Sequence, residues 1–307
     1  MSGAQPKDSG HFMRDGQGRA TPSCGGADTE LAPPSLAHAA EELVRASGAS
    51  SLQWEGASLT THFQPIYCVR RAACLGFEAL VRVSDESGAM VSPEELFARV
   101  PERSRSLLDW TCRALHLRNY ATVDPGDRTL FINIHPEAAV RDARRGREFA
   151  ELIRYYGLVP KRVCVEILEA PCSSEKRLRD AIDVYRDLGA SIAMDDFGVG
   201  CSNFDRVVAL CPDVVKIDRS ILVGAVGNDK AQRMIPGIIG LLHEFHCKVA
   251  VEGIESKAAA LLAIEAKADY LQGYFFASPQ SRLTKEFDGT ALLDKLLHPS
   301  SGPRLAA

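Results

Sequence analysis

The fold this sequence predicts is α/β: a modified (β/α)8 TIM-like barrel with an antiparallel first strand. Three observations carry it. Short β-branched or apolar runs alternate with longer helical patterns, which is the signature of βαβ units and a largely parallel sheet. Setting aside the first 50 of the 307 residues leaves 257, and one α/β barrel takes ~250. Polar residues with chemistry to offer recur at the ends of the apolar runs, mostly near the ~30-residue spacing of one βα unit.

Taken in order, residues 1–50 read as a flexible arm, with Gly25-Gly26, Pro33-Pro34 and scattered serines, and one short amphipathic helix pattern at Leu36–Ala46. Residues 51–298 read as the barrel and 299–307 as a disordered tail. Strands are expected at His62–Cys68, Leu75–Val83, Thr129–Ile134, Val163–Leu168, Ser191–Met194, Val214–Ile217, Lys248–Val251 and Tyr270–Leu271. The link from Cys68 to Leu75 is too short for a crossover helix, so the first two strands must form an antiparallel hairpin. Helical patterns cover Pro93–Val100, Ser104–Tyr120, Glu148–Tyr156, Glu175–Leu188, Asn203–Leu210, Lys230–Phe245 and Lys257–Glu265. Pro93 and Pro236 are placed near helix starts, where a missing N–H is harmless, and Gly189 follows Leu188 as a helix-ending glycine.

Composition narrows the class. A hydrophobic content of 46% with 25% charged residues is that of a globular chain with a sizeable core. The net charge is −4, from 36 basic and 40 acidic residues, so no duplex nucleic acid is expected as a partner. The longest nearly apolar stretch, Met234–Leu242, contains Pro236 and falls well short of the ~20 residues of a membrane span. Met1–Arg14 has no apolar stretch of a secretory signal, and a cytoplasmic location is expected. The nine cysteines form no C-x-x-C pair and read as small core residues rather than disulfides or a zinc site.

Glu78, Asn133, Glu166, Asp195 with Asp196, Lys216, Glu252 and Gln272 each lie in or at the end of a different apolar run. At the C-terminal ends of barrel strands they would share one mouth, the face where barrel enzymes place their catalytic groups. Carboxylates converging there would repel one another unless a cation neutralised them. Their oxygen donors suit Mg²⁺ or Mn²⁺, and the adjacent pair Asp195-Asp196 could serve two ions. A single acid at a strand end is most often a helix cap or an ordinary loop charge. Seven such positions in consecutive units are harder to dismiss. Lys216, inside Val214-Val215-Lys216-Ile217, could position or polarise a water, and a desolvated lysine can lose its proton.

With these residues in view, the chain resembles the EAL-domain family of cyclic-di-GMP phosphodiesterases. The likeness runs from Phe63-Gln64-Pro65-Ile66 through Glu78-Ala79-Leu80-Val81-Arg82, Glu166-x-x-Glu169, Asp195-Asp196-Phe197-Gly198, Lys216-Ile217-Asp218 and Glu252-Gly253-Ile254-Glu255 to Gln272-Gly273. The resemblance implies that Glu78, Asn133, Glu166 and Asp195 bind one divalent ion and that Asp195 and Asp196 share a second. It implies a water held by Lys216, Glu252 joined to the metals through water, and substrate contacts from Gln64, Glu78, Leu80, Arg82 and Gln272. Glu169 would support the loop after Asp196. The implied reaction opens cyclic di-GMP to linear pGpG, in a homodimer, with a regulatory protein partner as a further expectation.

The chain also departs from the family. Val199 and Cys201 stand for a hydroxyl residue and a tyrosine in the loop Asp195–Phe204, which in the family supports the second metal and the dimer contact. Val83 replaces a tryptophan, His135 a serine and Leu168 a threonine. The rival reading is therefore a non-catalytic cyclic-di-GMP receptor that signals to a partner protein, and a third is a phosphodiesterase for another dinucleotide. Asp196-Phe197-Gly198 lacks the companion motifs of a kinase, and Gly198-x-Gly200 those of a dinucleotide fold. His243-x-x-His246-Cys247 reads as a basic helix end rather than a soft-metal site, and His135 as a histidine near the mouth.

Overall fold

The computed structural model describes residues 35–48, 50–123, 126–141, 146–199, 203–225, 227–282 and 289–298. The first strands are β1 (Ser51–Trp54), β2 (Ala57–Cys68), β3 (Ala73–Ser84) and β4 (Met90–Val91). They are followed by β5 (Thr129–Ile134), β6 (Val163–Ile167), β7 (Ser191–Phe197), β8 (Val214–Ile217), β9 (Lys248–Val251) and β10 (Tyr270–Leu271). They form one sheet in the order β1-β2-β10-β9-β8-β7-β6-β5-β3-β4, and an additional β2–β3 pairing closes eight of them into a barrel. From β3 through β5 to β10 the barrel neighbours are parallel, whereas β2 runs antiparallel to both β3 and β10. The hairpin expected from the short Cys68–Leu75 link is therefore present. Its strands are longer than the alternation suggested, because β2 and β3 continue past the barrel rim to meet β1 and β4. Gly76 is needed where β3 meets β5, since a Cβ there would overlap the Thr129 carbonyl.

Eleven helices lie among the described residues: α1 (Leu36–Ser47), α2 (Pro93–Arg99), α3 (Glu102–Ala121), α4 (Pro136–Arg141), α5 (Gly146–Tyr155), α6 (Glu175–Asp187), α7 (Asn203–Leu210), α8 (Arg219–Ala225), α9 (Asp229–Glu244), α10 (Lys257–Glu265) and α11 (Gly289–Leu297). Local chemistry explains their starts. Ser35, Ser92, Ser174 and Ser256 each accept a hydrogen bond from a first-turn N–H, and Pro93 follows its cap as the first helical residue. The expected Leu36–Ala46 helix is α1, which buries Ala37, Ala40 and Val44 and packs on α3 and α5 rather than standing away from the barrel. Arg118 of α3 donates to the Val44 carbonyl at 2.6 Å and to Ser47 Oγ at 3.1 Å. The rest of the expected arm (residues 1–34 and 49) and the 299–307 tail lie outside the described residues.

Other expectations need correcting. Pro236 is interior to α9, not near its start; it is exposed and followed by Gly237, so solvent can satisfy the carbonyl that loses its partner. The short elements β1, β4, α4, α8 and α11 had no sustained periodicity to reveal them. Seven described cysteines are free thiols, four of them buried. His243 hydrogen-bonds Asp269 at 2.8 Å and belongs to no metal-binding group among the described residues.

Inside the barrel, Ile66, Phe131, Cys164, Ala193, Val214 and Ala250 form one apolar cluster drawn from six strands, with Tyr270 packed against it. Side chains two apart on a strand share a face. The next residues on that face toward the mouth are therefore Gln64, Asn133, Glu166, Asp195, Lys216, Glu252 and Gln272. An apolar floor thus carries a polar layer directly above it.

Candidate active site

Lys216 stands at the centre of the polar layer. Its Nζ lies 2.6 Å from Glu252 Oε1, 2.9 Å from Glu166 Oε1, 3.1 Å from Asp195 Oδ1 and 3.2 Å from Glu78 Oε2. Lys216 is 1% exposed and Glu166 0%, so an uncompensated charge at either place would cost several kcal/mol. Around this centre Gln272 Nε2 donates to Glu78 Oε2 at 2.7 Å and to Gln64 Oε1 at 3.3 Å, while Asn133 Nδ2 donates to Glu78 Oε1 at 2.9 Å.

The electrostatics follow from burial and crowding. Burial works against the Lys216 charge, but Asp195, Glu166, Glu252 and Glu78 together raise its pKa well above the ordinary value. The expectation that desolvation could free this lysine of its proton is therefore corrected: the surrounding carboxylates outweigh the dry environment. Burial pushes Glu166 and Glu252 well above the usual carboxylate range, and Lys216 offsets only part of that. Burial also opposes ionisation of Glu78, yet Lys216 and the hydrogen bonds from Gln272 and Asn133 hold its carboxyl low. Asp196 is raised to about 6 by burial and by Asp195 beside it.

Two triads of carboxylate oxygens, Glu78–Glu166–Asp195 and Asp195–Asp196–Glu252, each fall within 4.8 Å. The backbone delivers the second triad by an irregularity. The β7–β8 register breaks between Met194 and Phe197, and Asp196 takes the left-handed φ of 54°, which costs ~1–2 kcal/mol in a non-glycine residue. Beyond it Gly198, at φ 109°, has no room for a Cβ against Ile221. The residues fit a pair of divalent cations. Glu166 Oε2 and Asn133 Oδ1 are buried oxygens without a hydrogen-bond partner. With all five carboxyls ionised, as metal binding requires, they and the one ammonium carry four negative charges, the number two such cations neutralise.

Beside this layer a cavity of about 670 Å³ opens between β3, α2, α3, α4 and the end of β6. Leu80 and Arg82 line it, half-buried, as does Asn133, which links it to Glu78. The structure thus brings together Gln64, Glu78, Asn133, Glu166, Asp195, Asp196, Lys216, Glu252 and Gln272, and sets Leu80 and Arg82 apart in the cavity. Glu169 lies half-buried just past β6, and part of the loop it was expected to support, residues 200–202, lies outside the described residues.

His116 of α3 was missed by the sequence reading. Its ring is 5% exposed, lines the cavity, and is 2.8 Å from Thr61 Oγ1 through Nδ1. Burial lowers its pKa to about 3, so the ring is neutral. The available signal was spacing: Asp109, Cys112 and His116 repeat at helical intervals and all three line the cavity. His135 is exposed at the rim and accepts from the Glu137 N–H through Nδ1 at 3.1 Å.

Comparison with known proteins gives consistent results. A family model described as EAL domain matches residues 48–279. A cyclic di-GMP phosphodiesterase of Pseudomonas aeruginosa is 30% identical over 227 residues, which cover 71% of this chain and 38% of that protein. The first of the curated relatives, an uncharacterized protein of Azorhizobium caulinodans, is matched over 32% of its own length, so the chain spans about a third of it. Among solved structures, the Bacillus subtilis YkuI protein in complex with c-di-GMP and calcium superposes with a TM-score of 0.68 at 26% identity, covering 78% of this chain and 60% of that one. A standalone EAL protein of Vibrio cholerae in its c-di-GMP-bound form gives 0.65 at 27% identity, covering 72% and 92%.

Proposed function

Because this chain belongs to the EAL domain family, we propose that it is a metal-dependent phosphodiesterase that opens one phosphodiester bond of cyclic di-GMP to give linear pGpG. The observation that carries the reading is the pair of carboxylate triads sharing Asp195 around the buried Lys216. Glu78, Asn133, Glu166 and Asp195 would hold one Mg²⁺ or Mn²⁺, and Asp195 with Asp196 a second. Glu252 completes the second triad and would join the ions through water. When bound, such ions supply charge neutralisation at phosphorus and a more acidic water.

The chain's own residues do the rest. Lys216, whose proton the surrounding carboxylates favour in the metal-free chain, offers N–H donors at the centre of the layer and would orient an attacking oxygen. Gln272 and Asn133 fix the Glu78 carboxylate from both sides. Arg82 offers its planar fork to a phosphate at the cavity mouth, and Leu80 an apolar surface. Gln64, hydrogen-bonded by Gln272, and Glu78 complete the substrate contacts. Glu169 supports the loop that follows Asp196. A homodimer belongs to the same proposal, supported by the exposed Val199, Phe204 and Val208 next to that loop, as do a cytoplasmic location and a regulatory protein partner. No described helix is long and apolar enough to cross a membrane.

The test is incubation with cyclic di-GMP and Mg²⁺ or Mn²⁺, with products separated by chromatography. Formation of pGpG that vanishes in Glu78→Ala and Lys216→Ala is the expected result. Tight binding with no product in either metal would replace the enzyme by a cyclic-di-GMP receptor.

A further inference from the structure

We propose that His116 and His135 make this site selective for guanine over adenine, by presenting Nε2–H donors from two walls of the cavity to the acceptor edge of a base. The inference rests on the function proposed above.

Hydrogen bonds fix both tautomers. At His135 the Glu137 N–H donates to Nδ1, so Nδ1 is an acceptor and the ring proton of the neutral imidazole sits on Nε2. At His116 the partner is a hydroxyl, and its single proton must be traced. Asn119 Nδ2 donates to the Ser50 carbonyl at 2.9 Å, which orients the amide, and to Thr61 Oγ1 at 3.2 Å. Thr61 already accepts from Asn119, and among the described residues His116 Nδ1, 2.8 Å away, is the one acceptor for its buried hydroxyl proton. The His116 proton is again left on Nε2. Neither Nε2 has a hydrogen-bond or ion-pair partner among the described residues.

Two of the arginines around the cavity are held by the protein. Arg105 Nε donates to the Val100 carbonyl at 3.1 Å, and Arg141 is held by Glu102 at 2.5 Å and Glu137 at 3.3 Å. The two imidazoles thus add unpaired donors, beside Arg82 assigned above to a phosphate, to a volume that also offers Leu80, Phe97 and Pro93 as apolar surface. Guanine presents O6 and N7 as adjacent acceptors, whereas adenine presents an amino donor in place of O6. A donor facing that position pairs with guanine and is left unpaired and opposed by adenine, and an unpaired buried donor is costly. Asn133, lining the cavity while bonded to Glu78, places this recognition beside the acid layer. Thr61 acts as a positioning residue that holds the His116 tautomer.

The test is calorimetric titration of the full chain with cyclic di-GMP and with cyclic di-AMP, in Ca²⁺, the ion of the YkuI complex. The unsubstituted chain is expected to prefer cyclic di-GMP by at least about tenfold. His116→Ala should reduce that preference roughly tenfold, mainly by weakening cyclic di-GMP, as expected for loss of a buried hydrogen bond, and His135→Ala, at the exposed rim, should reduce it about threefold. His135→Gln, which keeps an N–H donor, should retain most of it. Because His116→Ala removes a buried ring and can compromise folding, Thr61→Val supplies the second reading: it frees the tautomer with little change of shape and should lower the preference about threefold. Equal preference in the unsubstituted chain, or parallel losses for both ligands with the ratio unchanged, would overturn the inference. Failure of the unsubstituted chain to bind either ligand would instead overturn the proposed function, and the inference with it.

Discussion

The acid layer and the cavity beside it touch at Asn133, yet they are built differently. The layer takes one side chain from each of eight barrel strands, sits on an apolar floor, and is almost wholly buried. The cavity is walled mainly by helices, with α3 contributing Asp109, Cys112 and His116, α2 and α4 further residues, and β3 Leu80 and Arg82. The layer is tied together by its own side chains, four carboxylates meeting Lys216 and Gln272 bridging Gln64 and Glu78. The cavity depends on helices whose packing can adjust. Under the proposed function the contrast would separate reaction from recognition: charge is concentrated among the barrel strands, and selectivity among side chains that single substitutions can retune.

The largest effect expected is on the layer. Glu78→Ala should lower pGpG formation by at least ~10³-fold, since losing several kcal/mol of metal-centred charge stabilisation translates to that factor. Binding of cyclic di-GMP, read by calorimetry, should fall far less. Comparable losses of turnover from substitutions in the cavity wall would break the division of labour.

Next, Lys216→Met should destabilise the metal-free chain by ~3–5 kcal/mol, because it strands the carboxylates without their shared cation. Mn²⁺ should recover part of the loss in a thermal melt. A variant as stable as the parent would show that the layer is not held by charge balance.

The pH dependence sharpens the same point. Burial and Asp195 raise Asp196 from its usual range to about 6, so the folded state binds this proton more tightly than the unfolded state. Its contribution is therefore favourable at low pH and is lost as pH rises through about 6. Melting temperatures of the metal-free chain should fall across that interval, and added Mg²⁺ or Mn²⁺ should stabilise most above it. A flat profile in EDTA would contradict the crowding.

Cavity substitutions come last. Arg82→Ala should weaken cyclic-di-GMP affinity about tenfold with kcat nearly unchanged, as for loss of one charge-assisted contact. Cys112→Leu, which extends the α3 wall into the cavity, should change stability by no more than ~1 kcal/mol and weaken the same affinity a few-fold.

The acid layer was largely legible in the sequence because strands have a two-residue period and each acid interrupts a β-branched run, as Glu166 does in Val163–Leu168. The barrel and its reversed first strand followed from element spacing and the short Cys68–Leu75 link. The cavity was not legible. Leu80 and Arg82 were named through a resemblance, not from their surroundings, and His116 looked like one more polar residue on a long helix. Its burial depends on Thr61 and Asn119, the first of them 55 residues away in the chain. The Lys216 proton was misjudged for a related reason. Sequence revealed the dry environment but not that four carboxylates converge on one nitrogen.

The reversal of β2 has a consequence for the order in which this molecule can assemble. As the first barrel strand it pairs with β3, the next in the chain, and with β10, the last, and the seam between β2 and β10 joins Tyr67 to Leu271. Gln272 reaches across it to Gln64 and Glu78, bonds that span 208 and 194 residues. Closing so long a loop costs entropy before any contact rewards it, so such pairings tend to form late. Glu78 gains its Gln272 donor only when the ring has closed. A nascent chain halted after β9 would hold most of its acids yet lack the clasp that orders the first of them, so competence for chemistry arrives with the final strand.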